Sequence, residues 1–233
     1  MLPVATSFVD QPLFGLSLSV IVYTGAYMLQ QRWRFLHPLF VCTGLVIIIL
    51  ISFHIPYDAY KHGADFLTLL LGPATVALGV PLYKYASLIR RHYRRVLVSV
   101  LAGALTGITA SALLAGLLGG SRAVILSMMP KSVSSPIALE IASHLGGIPE
   151  LTAVLTTLTG LVGSMFGTRF LRWLGIYDDI SIGIAMGTAA HGIGTAKVLK
   201  DSELQGSFSG LSMGICGILT SILFVPLYYW LGR

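Results

Sequence analysis

Long apolar stretches follow one another down this chain, each closed by a short polar or basic segment. Continuous runs lie at Pro12–Leu29, Pro38–Ile55, Phe66–Tyr83, Val96–Leu118, Leu151–Arg169 and Ser207–Leu231. A helix that crosses a bilayer needs about 20 mostly apolar residues, and these runs meet or approach that length. None alternates apolar and polar positions as membrane-barrel strands do over about 9–11 residues. Two further stretches, Arg122–Ser143 and Ile180–Leu199, are apolar but interrupted. The pattern predicts an all-α integral membrane protein with about six full spans, two discontinuous helical elements and no soluble domain.

Composition agrees with that pattern. Hydrophobic residues make up 55% of the chain and charged ones 10%, against roughly a quarter charged in an ordinary soluble domain. A mean hydropathy of +0.83 leaves too little polar surface to coat a water-facing globule. The formal charge of +6 does not point to nucleic acid, because the basic residues sit between apolar stretches, where the positive-inside rule expects them. Cys42 and Cys216 lie inside apolar runs, so neither a disulfide framework nor a metal site is expected.

The same charges predict direction. The basic stretch from Lys84 to Arg95 contains no acid and is expected to be a cytoplasmic loop. Counting back, the segment around Asp58, Lys61 and Asp65 falls outside, Arg32 and Arg34 inside, and the amino terminus outside. The first span lacks a basic leader and is therefore not expected to be a signal peptide. If Arg122–Ser143 dips into the membrane and returns, Arg169 and Arg172 come out cytoplasmic; a full crossing would put them outside. Ile180–Leu199 follows the same logic from the other side. Re-entrant hairpins are therefore preferred over crossing broken helices, and the carboxy terminus is outside either way. The expected organisation is one domain, with N-terminal spans at 1–83, the basic loop at 84–95 and a core at 96–233.

The two interruptions carry the candidate chemistry. In the first, Pro130 and Pro136 bracket Lys131, Ser132, Ser134 and Ser135 inside an apolar run. Proline removes a backbone donor and clashes with the preceding turn, so the helix should break there. Broken backbone survives at membrane depth only when it is buried in protein or lines a polar cavity. Pro136 suits the first turn of a new half-helix, with Ser134 or Ser135 as its N-cap. In the second interruption, Gly192 and Gly194 are expected to supply the flexible backbone beside His191, and Thr195 to cap the half-helix that follows. Lys131–Ser135 and His191–Thr195 share one order: basic, small, β-branched, small, hydroxyl. Paired interruptions in corresponding places point to an inverted-repeat transporter with its site near the midplane.

Two half-helix N-termini facing one cavity favour an anion, and Lys131 with a protonatable His191 adds positive charge. A small carboxylate fits, its neighbouring hydroxyl or keto oxygen bonded by Ser132, Ser134, Ser135 and Thr195 with the backbone of Gly192 and Gly194. Each residue has a plainer reading. Lys131 would snorkel to an interface if the hairpin were shallow, and His191 would simply cap backbone carbonyls. Glu140 either pairs with Lys131 or sits near the outer interface; with His191 it is a candidate for carrying a coupling proton. Lys197 and Asp65 read as interfacial. Gly72-Pro73 and Pro81 should kink the third run.

At these motifs the chain resembles the LrgB/CidB family over essentially its whole length. Met129-Pro-Lys-Ser-Val-Ser-Ser-Pro-Ile-Ala138 resembles the family's Pro-Lys-Ser-Val-Thr-Thr-Pro-Ile-Ala signature, with serine for threonine at Ser134 and Ser135. Ala190–Lys197 is similar to a second signature, and Gly72–Pro81 to a third. The resemblance implies two functions. Bacterial members are described as holin- or antiholin-like modulators of murein hydrolase activity that act with a small LrgA/CidA-type membrane partner. A plastid member is a glycolate/glycerate translocator, and some bacterial relatives move pyruvate.

The residues favour a carrier of small monocarboxylates, because a hole-former has no use for paired broken elements around a buried lysine. An enzyme is disfavoured: Ser132 or Ser135 with His191 has no acidic partner and no nucleophile elbow, and no metal, phosphate-loop or cofactor motif is present. The expected setting is the bacterial inner membrane, with both termini extracytoplasmic. The expected partners are the bilayer, an LrgA/CidA-type protein and further copies of the chain.

Overall fold

A computed structural model describes residues 11–33, 37–77 and 79–231; Arg34 and the amino-terminal residues through Asp10, used above for direction, lie outside them. The described residues are helical throughout, with no strand. The chain divides into two compact units, Met1–Ala77 and Leu78–Arg233.

In the first unit, α1 (Pro12–Arg32) and α2 (Pro38–Ser52) each begin on a proline, whose missing N–H costs nothing in a first turn. Helix α3 (Tyr57–Leu69) packs on α1 where Gly15 lets the Tyr60 carbonyl approach. Ser19 donates to the Gly15 carbonyl at 2.7 Å and accepts from the Tyr60 hydroxyl at 2.8 Å. Helix α1 is long and apolar enough to cross a membrane, whereas the 15 residues of α2 are not; at 1.5 Å per residue they span about 22 Å, short of a core about 30 Å thick. The span expected at Phe66–Tyr83 is not one helix. It is divided among α3, α4 (Leu71–Ala77) and α5 (Gly79–Lys84), because Gly72-Pro73 and Gly79 with Pro81 interrupt it.

The second unit is built on three long helices: α6 (Ala86–Leu117), the run Pro149–Trp173, and α12 (Glu203–Leu231). With α1 they supply the helices long and apolar enough to span among the described residues. The basic stretch expected as a loop is helical from Ala86 onward. Thirty-two residues measure about 48 Å, so α6 outruns the hydrocarbon and its arginine-rich first turns project from it.

Between these rods lie two helical hairpins. The first follows α6 through a turn at Gly119 (φ +77°). Helix α7 (Arg122–Met128) runs back along α6, so that Ile125 lies over Gly116 and Ser132 over Gly107. After the turn at 129–134, α8 (Ser135–Leu145) returns the chain to where it started. The Ile148 N–H donates to Ser127 Oγ at 2.7 Å, and Thr152 Oγ1 donates to the Ser127 carbonyl at 3.1 Å. Gly146, in the left-handed conformation at φ +80°, ends α8 as glycine readily does. Both ends of this hairpin lie at the C-terminal end of α6.

The run Pro149–Trp173 comprises α9 (Pro149–Val162), a π-helical turn at Gly163–Gly167, and α10 (Thr168–Trp173). It leads to the second hairpin, α11 (Asp179–Asp201), which is folded double at His191. Val198 on the returning arm packs with Ile182 on the outgoing one. Asp179 staples the base, accepting from Ser202 Oγ at 2.8 Å and Gln205 Nε2 at 2.7 Å. Lys84 pairs with Glu203 immediately after this base, which places the base beside the N-terminal end of α6. The two hairpins therefore enter the unit from opposite ends.

Candidate functional site

A cleft of about 1000 Å³ runs along α6, from Ser99 through Gly103, Thr106 and Gly107 to Ala110. Its other walls are the turn of the first hairpin, one arm of the second hairpin from Ser181 to Ala189, and α9 from Leu155 to Val162. Both hairpins seat on glycines of α6 one turn apart. A Cβ on Gly103 would come within 2.9 Å of Thr188 Cγ2, and one on Gly107 within 3.4 Å of Ser132 Oγ. The glycines are there for close approach, as in other membrane helix contacts.

Lys131 reaches this cleft from the first turn. Its ammonium donates to Ser132 Oγ at 3.4 Å and is half-buried. Among the described residues no carboxylate lies within ion-pair distance of it. Charge without a partner is costly away from water, so an anion entering the cleft meets a cation that lacks a counter-charge. The same walls carry the hydroxyls of Ser99, Thr106, Ser132, Thr159, Ser181 and Thr188.

The tip of the second hairpin is a single residue. His191 takes φ 39°, ψ −137°, a region that L-residues other than glycine rarely enter. Three contacts hold it. Its Nε2 lies 2.9 Å from the Thr156 carbonyl, which can only accept, so Nε2 carries a proton and Nδ1 is left to respond to a ligand. Its ring lies over Gly160, where a Cβ would come within 2.7 Å of Cε1 and 2.8 Å of Nε2. Thr195 Oγ1 donates to its carbonyl at 2.8 Å and meets Ser209 Oγ at 2.8 Å. The π-helical turn begins just past Gly160, and such turns recur at functional sites.

The sequence-predicted residues divide between two places. Lys131 and Ser132 line the cleft. His191, Gly194 and Thr195 are buried at the second tip, with Gly192 half-buried beside them. Ser134 stands at the N-cap of α8 as expected, yet its side chain makes no capping bond, and Ser135 is the first helical residue. The flexible backbone expected of Gly192 and Gly194 falls instead on His191; neither glycine has a positive φ. Gly194 serves close approach, since a Cβ there would meet the Ala190 Cβ at 2.5 Å. Thr195 does not cap the returning arm but binds back to the carbonyl at the break.

Glu140 does not pair with Lys131. It accepts from His144 Nε2 at 2.9 Å, on the exposed face of α8. The pair borders a separate cavity of about 720 Å³ between α8 and the end of α12, with Phe224 and Tyr228. At the base of the second hairpin Asp178 caps α11. The Ser181 N–H and hydroxyl, both at 2.8 Å, hold its carboxyl below the usual range. Sequence reasoning missed Gly160 and Thr156, because a glycine or threonine in an apolar helix carries no local mark of a partner thirty residues away.

Comparison with known proteins adds a family. The LrgB-like family matches residues 19–230. A protein of Bacillus subtilis strain 168 called YxaC is 39% identical over 216 residues, covering 92% of this chain and 94% of its own length. A protein of Haemophilus influenzae is 36% identical over 208 residues, 88% of this chain and 90% of the relative. The protein named holin-like protein CidB in Staphylococcus aureus strain Mu50 is 31% identical over 215 residues, 91% of this chain and 94% of the relative. No solved structure matches.

Proposed function

The chain belongs to the LrgB-like family of multi-pass membrane proteins, and from that premise we propose that it is a carrier for small 2-hydroxy- and 2-keto-monocarboxylates. One observation supports this most: Lys131, without an acidic partner among the described residues, faces a mostly apolar cleft carrying a few hydroxyls, between two hairpins that enter from opposite ends. Opposed broken elements around one central site are the architecture by which inverted-repeat carriers give alternating access. In this reading the carboxylate binds the Lys131 ammonium, and Ser132 with neighbouring hydroxyls orients it. His191, protonated at Nδ1 while keeping its Nε2 bond to Thr156, supplies the coupled proton. No covalent step is involved.

The test is uptake of labelled glycolate, pyruvate and lactate into proteoliposomes, with and without an LrgA/CidA-type partner. Saturable uptake by the native protein, lost in a folded Lys131→Met variant, is the expected result. Lys131→Arg should restore only part of it, because a planar guanidinium does not reproduce a compact ammonium. Full uptake by the methionine variant would remove Lys131 from the mechanism. The name of the staphylococcal relative favours a second reading, a holin-like regulator of lysis. That reading predicts leakage of dyes and inorganic ions with no saturation and no carboxylate preference.

A further inference from the structure

The Lys131 cleft is far larger than an acid of two or three carbons. Pockets of about 300–1000 Å³ take drug-sized ligands, and this one, at about 1000 Å³, stands at the upper end of that range. Its polar groups are also unevenly placed. Ser132 Oγ, which accepts from the Lys131 ammonium, lies over Gly107, so the charge sits toward the Ala110 end. Along the middle the threonine hydroxyls turn back onto their own helices. Thr106 donates to the Ala102 carbonyl at 2.8 Å, Thr159 to Leu155 at 2.8 Å and Thr188 to Ile184 at 2.7 Å. At the far end the Ser181 hydroxyl donates to Asp178 at 2.8 Å. The cleft therefore has one charged pole and a long apolar remainder.

That remainder has a length. From Gly107 to Ser99 the cleft follows α6 for about 12 Å at 1.5 Å per residue. Leu158 and Val162 of α9 and Ile184, Ala185 and Ala189 of α11 wall it. Leu158 and Val162 are still 42% and 56% exposed, apolar surface that an apolar group would cover favourably. An ammonium–carboxylate contact takes up about 3 Å. An extended chain then advances about 1.2 Å per bond and reaches the level of Ser99 in roughly seven bonds, as in an acid of about eight carbons.

We propose that the cleft takes amphipathic acids: Lys131 holds the carboxylate, and the wall from Leu158 to Val162 with Ile184, Ala185 and Ala189 holds an apolar tail. Acids of about six to eight carbons then bind more tightly than those of two or three. This rests on the carrier reading and extends the substrate range of the same site along the tail. Burial of each methylene favours binding by about twofold to fourfold, until the chain reaches the end of the cleft. Apolar contact is non-directional, so straight and branched tails are both accepted.

The experiment uses straight-chain 2-keto acids of increasing length, from pyruvate to 2-oxodecanoate, as competitors of labelled pyruvate uptake in proteoliposomes. The head stays constant and only the tail grows. For the native protein the inhibition constant should fall about twofold to fourfold per methylene and level off near eight carbons. Ala185→Phe and Ala189→Phe fill the cleft at different distances from Lys131. Each should weaken 2-oxooctanoate at least about tenfold more than pyruvate, and Ala189→Phe, the nearer to Lys131, should level off at the shorter chain. Partition of long acids into the bilayer does not depend on a cleft side chain and cannot give that pattern. Pyruvate uptake with competition independent of tail length overturns the proposal and leaves the carrier reading standing. So do phenylalanine variants that keep the native length profile. If those variants fail to fold, Ala185→Cys decides in a background with Cys42 and Cys216 replaced: 2-oxooctanoate should slow its maleimide labelling and pyruvate should not, and equal rates with both overturn the proposal. A native protein that takes up no carboxylate at all overturns the carrier reading, and this proposal with it.

Discussion

His191 spends its ring on Thr156 and its backbone on an unfavourable conformation, and both depend on Gly160 having no side chain. Gly160→Ala would place a Cβ within 2.7 Å of the ring. Overpacking of this kind costs about 1–3 kcal/mol. A lower melting temperature and loss of uptake are therefore expected, with the melting temperature alone partly recovered in the double variant Gly160→Ala/His191→Ala, where the ring is gone. His191→Gln separates the proton from the hydrogen bond. Histidine ordinarily titrates near neutrality, and glutamine keeps an N–H donor but cannot titrate. The native protein should concentrate substrate under an inward proton gradient in sodium-free vesicles, and the variant should only exchange it downhill. An unchanged pH profile in the variant would remove His191 from the coupling role. At this scale Lys131 was legible because two prolines flag it, and His191 because a basic residue beside glycines in an apolar run is conspicuous. Gly160 and the Thr156 carbonyl, which hold the His191 ring, were not, since neither carries a local mark of a partner on another element.

At the scale of elements, the hairpins were expected from sequence because Pro130 and Pro136 each remove a backbone donor and disfavour one continuous helix, and because the positive-inside rule favours one side for the arginines at 169 and 172. The outcome at Phe66–Tyr83 differed because hydropathy counts apolar residues without weighing the breaks at Gly72-Pro73 and at Gly79 with Pro81. The basic stretch was misread as a loop for a related reason: Arg90, Arg91, Arg94 and Arg95 are good helix formers, and polarity alone does not end a helix that projects into water. The second hairpin offers a test that is independent of transport. Asp178 caps its outgoing arm, and loss of an N-cap costs about 1 kcal/mol. Its carboxyl is held low by Ser181, so the charged cap stabilises fully above the unfolded pKa of about 3.9. That contribution is lost as pH falls through the lower folded value. Asp178→Ala should therefore melt earlier than the native protein at pH 7, with the gap closing in strong acid. A gap that is constant down to the lowest pH would mean the side chain acts by packing rather than as a charged cap.

Across the second unit, basic residues are concentrated at one end, where Asp178, Asp179, Asp201 and Glu203 also lie. Lys84 ends α5 and Arg90, Arg91, Arg94 and Arg95 lie in the first turns of α6, with Arg169 and Arg172 in α10 and Lys197 and Lys200 near the base of the second hairpin. The salt bridge from Lys84 to Glu203 ties that end together, although exposed pairs of this kind add little stability. The opposite end, where α6 finishes and the first hairpin begins and returns, carries Arg122 with Glu140 and Glu150. The positive-inside rule then predicts that the base of the second hairpin is cytoplasmic and that of the first outside. With that orientation the Lys131 cleft, which extends along α6 toward Ser99 and Ser181, is expected to face inward. Single cysteines at Leu118 and Tyr177, which are 86% and 71% exposed, test this in a background with Cys42 and Cys216 replaced. An impermeant maleimide added to intact cells should label residue 118 at once and residue 177 only after the membrane is opened. Labelling of both from outside would mean that the first hairpin crosses the membrane instead of returning. The hairpins would then share one side, and a site closed alternately from two sides would have no structural basis. Labelling of residue 177 alone would invert the unit, make the cleft outward-facing, and reverse the direction in which Lys131 first meets its anion.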